Sequence, residues 1–311
     1  MEGQFFLKDV GRIAVYIFLY ISGVALAKSY GIDNLGISFI KRRFYRLAFP
    51  TWITLVLFYG LDYFCLGRTF SFGRILLSFL GIIQVYPPNP PMWFITYILY
   101  LYLLYFVVSH IRLVKFGKIL ILLFSCYMTY LPVMVFDFIG MKIIGGYTII
   151  FPVCVTIGLY SSRLKEVSYT NYRKFPLLYW GLILLLLFEH FSGVGIQALK
   201  QLNSSYIYTK VISSLAPLTF VISLTLIIHI LDGIQLKSGF WAFAGRYSFE
   251  IYLLHFPFMV SYDFLLFRKP FTVWLIVYLL YISVLGLLLK STAALLNRTI
   301  FGLIQSDAAN A

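Results

Sequence analysis

The sequence predicts an all-α fold, a polytopic transmembrane helical bundle of about nine spans with a short re-entrant or interfacial helix. Three observations predict it. Hydrophobic residues make up 61% of the 311 and charged residues only 12%, with a mean hydropathy of +0.90, whereas about a quarter of the residues of a soluble domain are charged. Apolar runs long enough, or nearly long enough, to cross about 30 Å of hydrocarbon recur along the whole chain. The connections between them are short and leave no soluble domain, so residues 1–311 read as a single membrane-embedded domain. Backbone in lipid must satisfy its own hydrogen bonds, which makes these runs helices.

The first span is Ile13–Ala27, and the basic run Lys41-Arg42-Arg43-Phe44-Tyr45-Arg46 closes the connection after it. Leu47–Cys65 begins where that charge ends. Ile75–Val85 is too short to span comfortably and runs into Tyr86-Pro87-Pro88-Asn89-Pro90-Pro91, so it is the re-entrant or interfacial piece. The remaining spans are Trp93–Ser109, Ile119–Phe136, Gly145–Tyr160, Phe175–Glu189, Val211–Leu231, Tyr247–Leu266 and Phe271–Leu289. The tail 290–311 sets Leu295, Leu296, Ile300 and Phe301 amid Asn297 and Arg298, the pattern of an amphipathic interfacial helix.

Orientation follows from the basic residues, which accumulate in cytoplasmic loops. With the loop 28–46 inside, 16 of the 25 Lys and Arg lie on the cytoplasmic side and 9 on the other. This makes a multi-pass plasma-membrane protein with a cytoplasmic C-terminus and, for nine spans, an external N-terminus. A cleaved signal peptide using Ala25-Leu26-Ala27 would export the most basic loop of the chain, against the same rule.

The net charge of +14 is dispersed over several short loops, so it suits topology and anionic membrane lipid and predicts no nucleic-acid partner. Cys65, Cys126 and Cys154 have neither metal spacing nor a secreted disulfide pattern. Neither a metal nor a cofactor is expected.

An ionisable side chain within a span is a functional candidate by default. The strongest case is Ser248-Phe249-Glu250-Ile251-Tyr252-Leu253-Leu254-His255. Spacings of four and three put Ser248, Tyr252 and His255 on one helix face. His255 then lies roughly 12 Å along the span from its cytoplasmic end, where a neutral imidazole can act as a base toward a hydroxyl. The bland alternative is a histidine that ties neighbouring helices together. His110 is expected to be solvated, His190 to sit in headgroups beside Glu189, His229 to pair with Asp232, and Asp62 and Asp263 to be exposed near outer span ends.

These residues carry a resemblance. Phe18-Leu19-Tyr20-Ile21-Ser22-Gly23, the RxxR of Arg43 and Arg46, Trp93-Phe94, and Gly245-Arg246-Tyr247-Ser248 leading to Tyr252 and His255 occur in one order. Together they resemble the integral-membrane acyltransferase family three, the O-acyltransferases that decorate surface polysaccharides, lipopolysaccharide and related glycans. The resemblance implies a cytoplasmic acyl-CoA, commonly acetyl-CoA, as co-substrate and a hydroxyl of a surface or lipid-linked glycan as acceptor. Other polysaccharide-biosynthesis proteins are implied partners.

Residue by residue, the resemblance associates Arg43 and Arg46, with Arg42 beside them and Trp93, with substrate binding. Paired guanidinium forks suit a 3′-phosphate and a pyrophosphate. Ser22 and Gly23 match a structural motif in which a small pair lets helices approach closely. Ser248, Tyr252 and His255 match the late serine-tyrosine-histidine helix and are the catalytic candidates. The family's arginine followed ten residues later by histidine is absent, since Gly11-Arg12 is followed by Ser22 at that distance. The first span here aligns with the family's second. Either the reading frame starts late and the chain is inactive as written, or the branch has lost that base and His255 serves instead.

In an active chain, the acceptor hydroxyl attacks the thioester while His255 takes its proton; a second route forms an acyl-enzyme through Ser248. The competing class is a glycan-export component such as a flippase or polymerase, which would not depend on acyl-CoA.

Overall fold

The computed structural model describes residues 2–81, 89, 92–128, 147–192, 197, 200–201, 206–233, 239–262 and 270–309. Regular structure among these residues is entirely helical. The helices are α1 Glu2–Tyr30, α2 Ile37–Leu66, α3 Phe72–Phe79, α4 Trp93–Ser109, α5 Lys115–Met128, α6 Ile150–Leu159, α7 Ser161–Lys174, α8 Pro176–Ser192, α9 Tyr206–Gly233, α10 Gly239–Val260 and α11 Phe271–Ala309.

By length and composition, three segments can cross a bilayer: Ile13–Tyr30 of α1, all of α2, and Val273–Leu296 of α11. The α7 and α8 helices meet the same test together but are bent by 117° at their junction. Shorter apolar helices are α4, α6 and Pro217–Asp232 of α9. The described residues therefore form an all-α protein with three to four membrane-length elements. Of the expected spans, Ile119–Phe136 is described only to Met128, Gly145–Tyr160 from Tyr147, and Tyr247–Leu266 to Tyr262. Outer faces suit hydrocarbon: α8 buries Tyr179 and Ile183 and exposes Leu177, Leu178, Leu184, Leu185 and Phe188, which water would disfavour.

Two segments differ from the sequence expectation. Residues 161–174, counted as a connection, form α7; they are polar but contain neither Gly nor Pro, so nothing interrupts a helix until Pro176 begins α8 at a position where its missing N–H is not needed. The tail after Leu289 continues α11 without a break to Ala309. Ala293, Ala294, Leu295 and Leu296 are among the best helix formers and carry it past the expected span end.

The chain divides into two compact units, Met1–Gly36 with Tyr100–Lys237, and Ile37–Leu99 with Ser238–Ala311. In the first, α1 packs most extensively on α6. The contact is backbone-close: a Cβ on Gly23 would lie 2.7 Å from the Cβ of Cys154, and one on Gly158 2.7 Å from the carbonyl of Val24. Beside Gly23, the Ser22 hydroxyl is 2.9 Å from that of Tyr102. A second core joins Tyr179 and Ile183 of α8 to Ile230 of α9.

The loop leading toward the basic run is held by a buried lysine. Lys118, 4% exposed, donates to the Asp33 carboxylate at 2.7 Å and to the carbonyls of Ser109 at 2.9 Å and Ile32 at 3.3 Å. All three ammonium protons have an acceptor, which offsets the cost of burying the charge. Tyr105 donates to the Gly31 carbonyl, and Ser109 accepts the Asn34 and Leu35 amides at 3.1 and 3.2 Å.

In the second unit α2 packs on α3, α10 and α11, and α10 packs on α11. Trp52 donates its indole N–H to the Phe79 carbonyl at 2.9 Å, and the hydroxyls of Tyr59 and Ser78 meet at 2.8 Å. These bonds dock the eight-residue α3 against α2. The Phe58 ring lies 5.4 Å from Phe258 and stacks 6.0 Å from Tyr262.

Candidate active site

The residues expected to bind substrate or act in catalysis all fall in the second unit, whereas Ser22 and Gly23 fall in the first. Helix α10 carries Ser248, Tyr252 and His255 on one face. The Ser248 hydroxyl donates to the Gly245 carbonyl at 3.1 Å, a bond made within its own turn. Tyr252 is 7% exposed, with its ring 5.4 Å from the His255 ring and edge-on to Phe94 at 5.6 Å. His255 is half-buried.

The imidazole orientation has a chemical consequence. His255 Nδ1 is 2.6 Å from the Tyr252 carbonyl, which can only accept, so in the neutral ring the proton sits on Nδ1 and the lone pair on Nε2. The backbone around the ring is fixed from two sides. Pro257 has no N–H and leaves the Leu253 carbonyl, four residues earlier, without its helical donor. The Asn89 side-chain amide supplies one. Tyr278 of α11 donates to the His255 carbonyl at 2.6 Å.

The arginines occupy the N-terminal third of α2. Arg42 and Arg46 are exposed and Arg43 is half-buried, with its guanidinium 5.8 Å from the centroid of Phe39. Helix α2 has 30 residues, about 45 Å at 1.5 Å per residue, so its charged start extends beyond an apolar core of about 30 Å. Trp93 opens α4 with its ring 6.0 Å from Phe94 and 6.3 Å from Tyr97. A shallow cleft runs between α2, α3 and α4, lined among others by Phe44, Ala48, Trp52, Thr96 and Leu99. Thr96 and Trp52 give their protons to backbone carbonyls, which leaves a largely apolar wall.

Other expectations need correction. Asp62 is not exposed near a span end: it is 2% exposed, accepts the Tyr262 hydroxyl at 2.5 Å and lies 3.9 Å from Arg68. A tyrosine 200 residues on and an arginine just past the end of α2 supply what headgroups would have supplied. Asp263 lies outside the described residues. His229 contacts the Ser168 hydroxyl at 3.3 Å, and Asp232 pairs with Lys165 at 2.8 Å; both partners come from α7, the segment taken for a connection. His190 packs among rings, 5.7 Å from Tyr16 and 5.2 Å from Phe220. His110 is exposed, in line with the expectation of a solvated histidine, with Nδ1 2.9 Å from the Phe106 carbonyl.

Sequence reasoning passed over Asn89, Glu250, Tyr278 and Lys290. Two signals were present. Pro257, two residues beyond His255, announces an unpaired carbonyl at Leu253, and Glu250 is a lone carboxylate inside the serine-tyrosine-histidine stretch.

No curated protein and no solved structure matches the chain. Residues 1–290 match the acyltransferase domain of the acyltransferase 3 family. That match, with the membrane-length helices, means acyl donor and acceptor substrates for an enzyme set in a membrane. The chain belongs to the acyltransferase 3 family and is a membrane acyltransferase.

Proposed function

We propose that this enzyme moves an acyl group, acetyl in the first instance, from cytoplasmic acyl-CoA to a hydroxyl of a surface or lipid-linked glycan, with the bundle in the plasma membrane and the C-terminus in the cytoplasm. The observation that carries the reading is the Nδ1 bond of His255 to the Tyr252 carbonyl at 2.6 Å, on a chain whose family transfers acyl groups. It leaves Nε2 as a base in a half-buried site.

The acceptor O–H gives its proton to Nε2 as its oxygen attacks the thioester carbonyl. The Tyr252 hydroxyl steadies the developing oxyanion. The C–S bond then breaks and the imidazolium returns the proton to the CoA sulfur, giving an ester and free CoA. Arg43 and Arg46, with Arg42, hold the CoA phosphates. The cleft beside α2 has a largely apolar wall, and its lining residue Phe44 lies between the two arginines in sequence, which suits the pantetheine arm.

The test supplies acetyl-CoA labelled in the acetyl group to membranes containing the chain and follows label into glycan, with empty-vector membranes as control. Base-labile, protein-dependent label is expected. Its absence with acetyl-CoA and with succinyl-CoA, in membranes with verified insertion and acceptor, would overturn the reading.

A further inference from the structure

The cleft between α2, α3 and α4 is shallow, but it has a direction. On α2 its lining residues Phe44, Ala48, Thr51 and Leu55 follow one helix face at spacings of four, three and four. The groove therefore runs about 16 Å along that helix. Its residues are 40% exposed at Phe44, 5% at Ala48, 9% at Thr51 and 1% at Leu55. Phe44 marks an open end, beside the arginines of the basic run in sequence. One turn past Leu55, the hydroxyls of Tyr59 and Ser78 meet at 2.8 Å and join α3 to α2. The far end is closed there.

That closed end is level with His255. Helices α2 and α10 run parallel with an offset of 200 residues: the Phe58 ring lies 5.4 Å from that of Phe258, and Tyr262, just past α10, donates to Asp62 at 2.5 Å. Both helices rise by the same step per residue, so the same offset sets Leu55 at the height of His255. The lining offers little to a polar group. Thr51 donates to the Leu47 carbonyl at 2.7 Å, Ser78 to that of Arg74 at 3.0 Å and Thr96 to that of Gly81 at 2.8 Å. Among the described residues, no charged side chain lines the cleft, and a carboxylate buried there would lose water without gaining a cation.

We propose that Leu55 is the residue that sets acyl-chain length. The acyl group of the donor lies against it at the closed end, level with His255, while the pantetheine arm follows the groove back to Phe44 and the arginines. This rests on the reading of acyl-CoA as the donor bound in this cleft. An acetyl group ends at the Leu55 side chain. Each further methylene has to displace a packed neighbour, which costs more than its own apolar contact contributes. A succinyl group meets the same wall and brings a charge for which the groove has no partner.

The test gives acetyl-, butyryl- and succinyl-CoA to full-length protein in membranes, with insertion verified. The readout is the ratio of kcat/KM values within each protein, which a general loss of stability or expression does not move. In the wild type, acetyl-CoA is expected to exceed butyryl-CoA about a hundredfold. Leu55→Ala is expected to narrow that ratio about tenfold or more and to leave succinyl-CoA unused, because it adds room and no cation. Val56→Ala, at the exposed neighbouring position, should leave the ratio unchanged. Should Leu55→Ala fail to insert, Leu55→Val removes a single methylene, and the ratio of acetyl- to propionyl-CoA should narrow about threefold or more. A ratio unmoved by the Leu55 substitution, an equal change in Val56→Ala, or a wild type that takes butyryl-CoA as readily as acetyl-CoA would overturn the role of Leu55 and leave acyl-CoA as the donor. Succinyl transfer by Leu55→Ala would overturn the uncharged closed end. Transfer from none of the three donors by the wild type would overturn the donor reading and the role of Leu55 with it.

Discussion

Asn89 donates its side-chain amide to the backbone carbonyl of Leu253, 164 residues away in sequence. The bond falls on the acceptor that Pro257 cannot serve, two residues before the imidazole that the proposed chemistry uses. A proline in a helix interior leaves a polar debt in hydrocarbon, and here a side chain from a proline-rich segment settles it.

The pairing predicts a compensated double variant. Asn89→Ala leaves the Leu253 carbonyl buried without a donor and is expected to cost about 1–3 kcal/mol. Adding Pro257→Ala restores an N–H four residues on and should recover part of that loss. Thermal denaturation in lipid nanodiscs measures both; a double variant no more stable than Asn89→Ala would contradict the assignment.

His255→Ala is expected to lower kcat by about 10²- to 10⁴-fold, the range of general base catalysis. Acyl-CoA binding should persist, because no donor phosphate contact is altered. Equilibrium binding of a non-hydrolysable acyl-CoA beside steady-state turnover separates the two effects. Full turnover would return His255 to a packing role.

Arg43→Ala and Arg46→Ala together are expected to raise the KM for acyl-CoA by tenfold or more, since a hydrogen bond to a charged group contributes about 1.5–3 kcal/mol and about 1.4 kcal/mol is a factor of ten. The penalty should shrink for a donor that lacks the 3′-phosphate. Comparing dephospho-acetyl-CoA with acetyl-CoA on both proteins reads this directly, and equal penalties would remove the 3′-phosphate from the fork.

Gly23→Ala is expected to destabilise the first unit by about 1–3 kcal/mol, the usual cost of forcing atoms into a packed contact, because the new Cβ would lie 2.7 Å from the Cβ of Cys154 and 3.1 Å from the Phe151 carbonyl. Gly60→Ala is the matched control. Among the described residues, no heavy atom beyond its own helix turn lies within 4 Å of its added Cβ, and in a helix the substitution should be neutral or stabilising. Equal melting temperatures for the two variants would mean that α1 and α6 yield at that contact.

The sequence by itself determined the membrane class, the helical fold, the position of the arginines at the start of α2, and the common face of Ser248, Tyr252 and His255. These are local quantities. Whether a segment enters hydrocarbon depends on its own composition, and whether three side chains share a face depends on helical periodicity alone. The tertiary structure decided how buried polar groups are satisfied. It buried Asp62 against Tyr262, drew Lys165 and Ser168 toward the end of α9, joined Asn89 to Leu253, and left one oxygen of Glu250 unfilled beside Lys290. Each of these relationships links different helices or widely separated segments, and the cost of an unpaired polar group is fixed only when packing brings, or fails to bring, a partner to it.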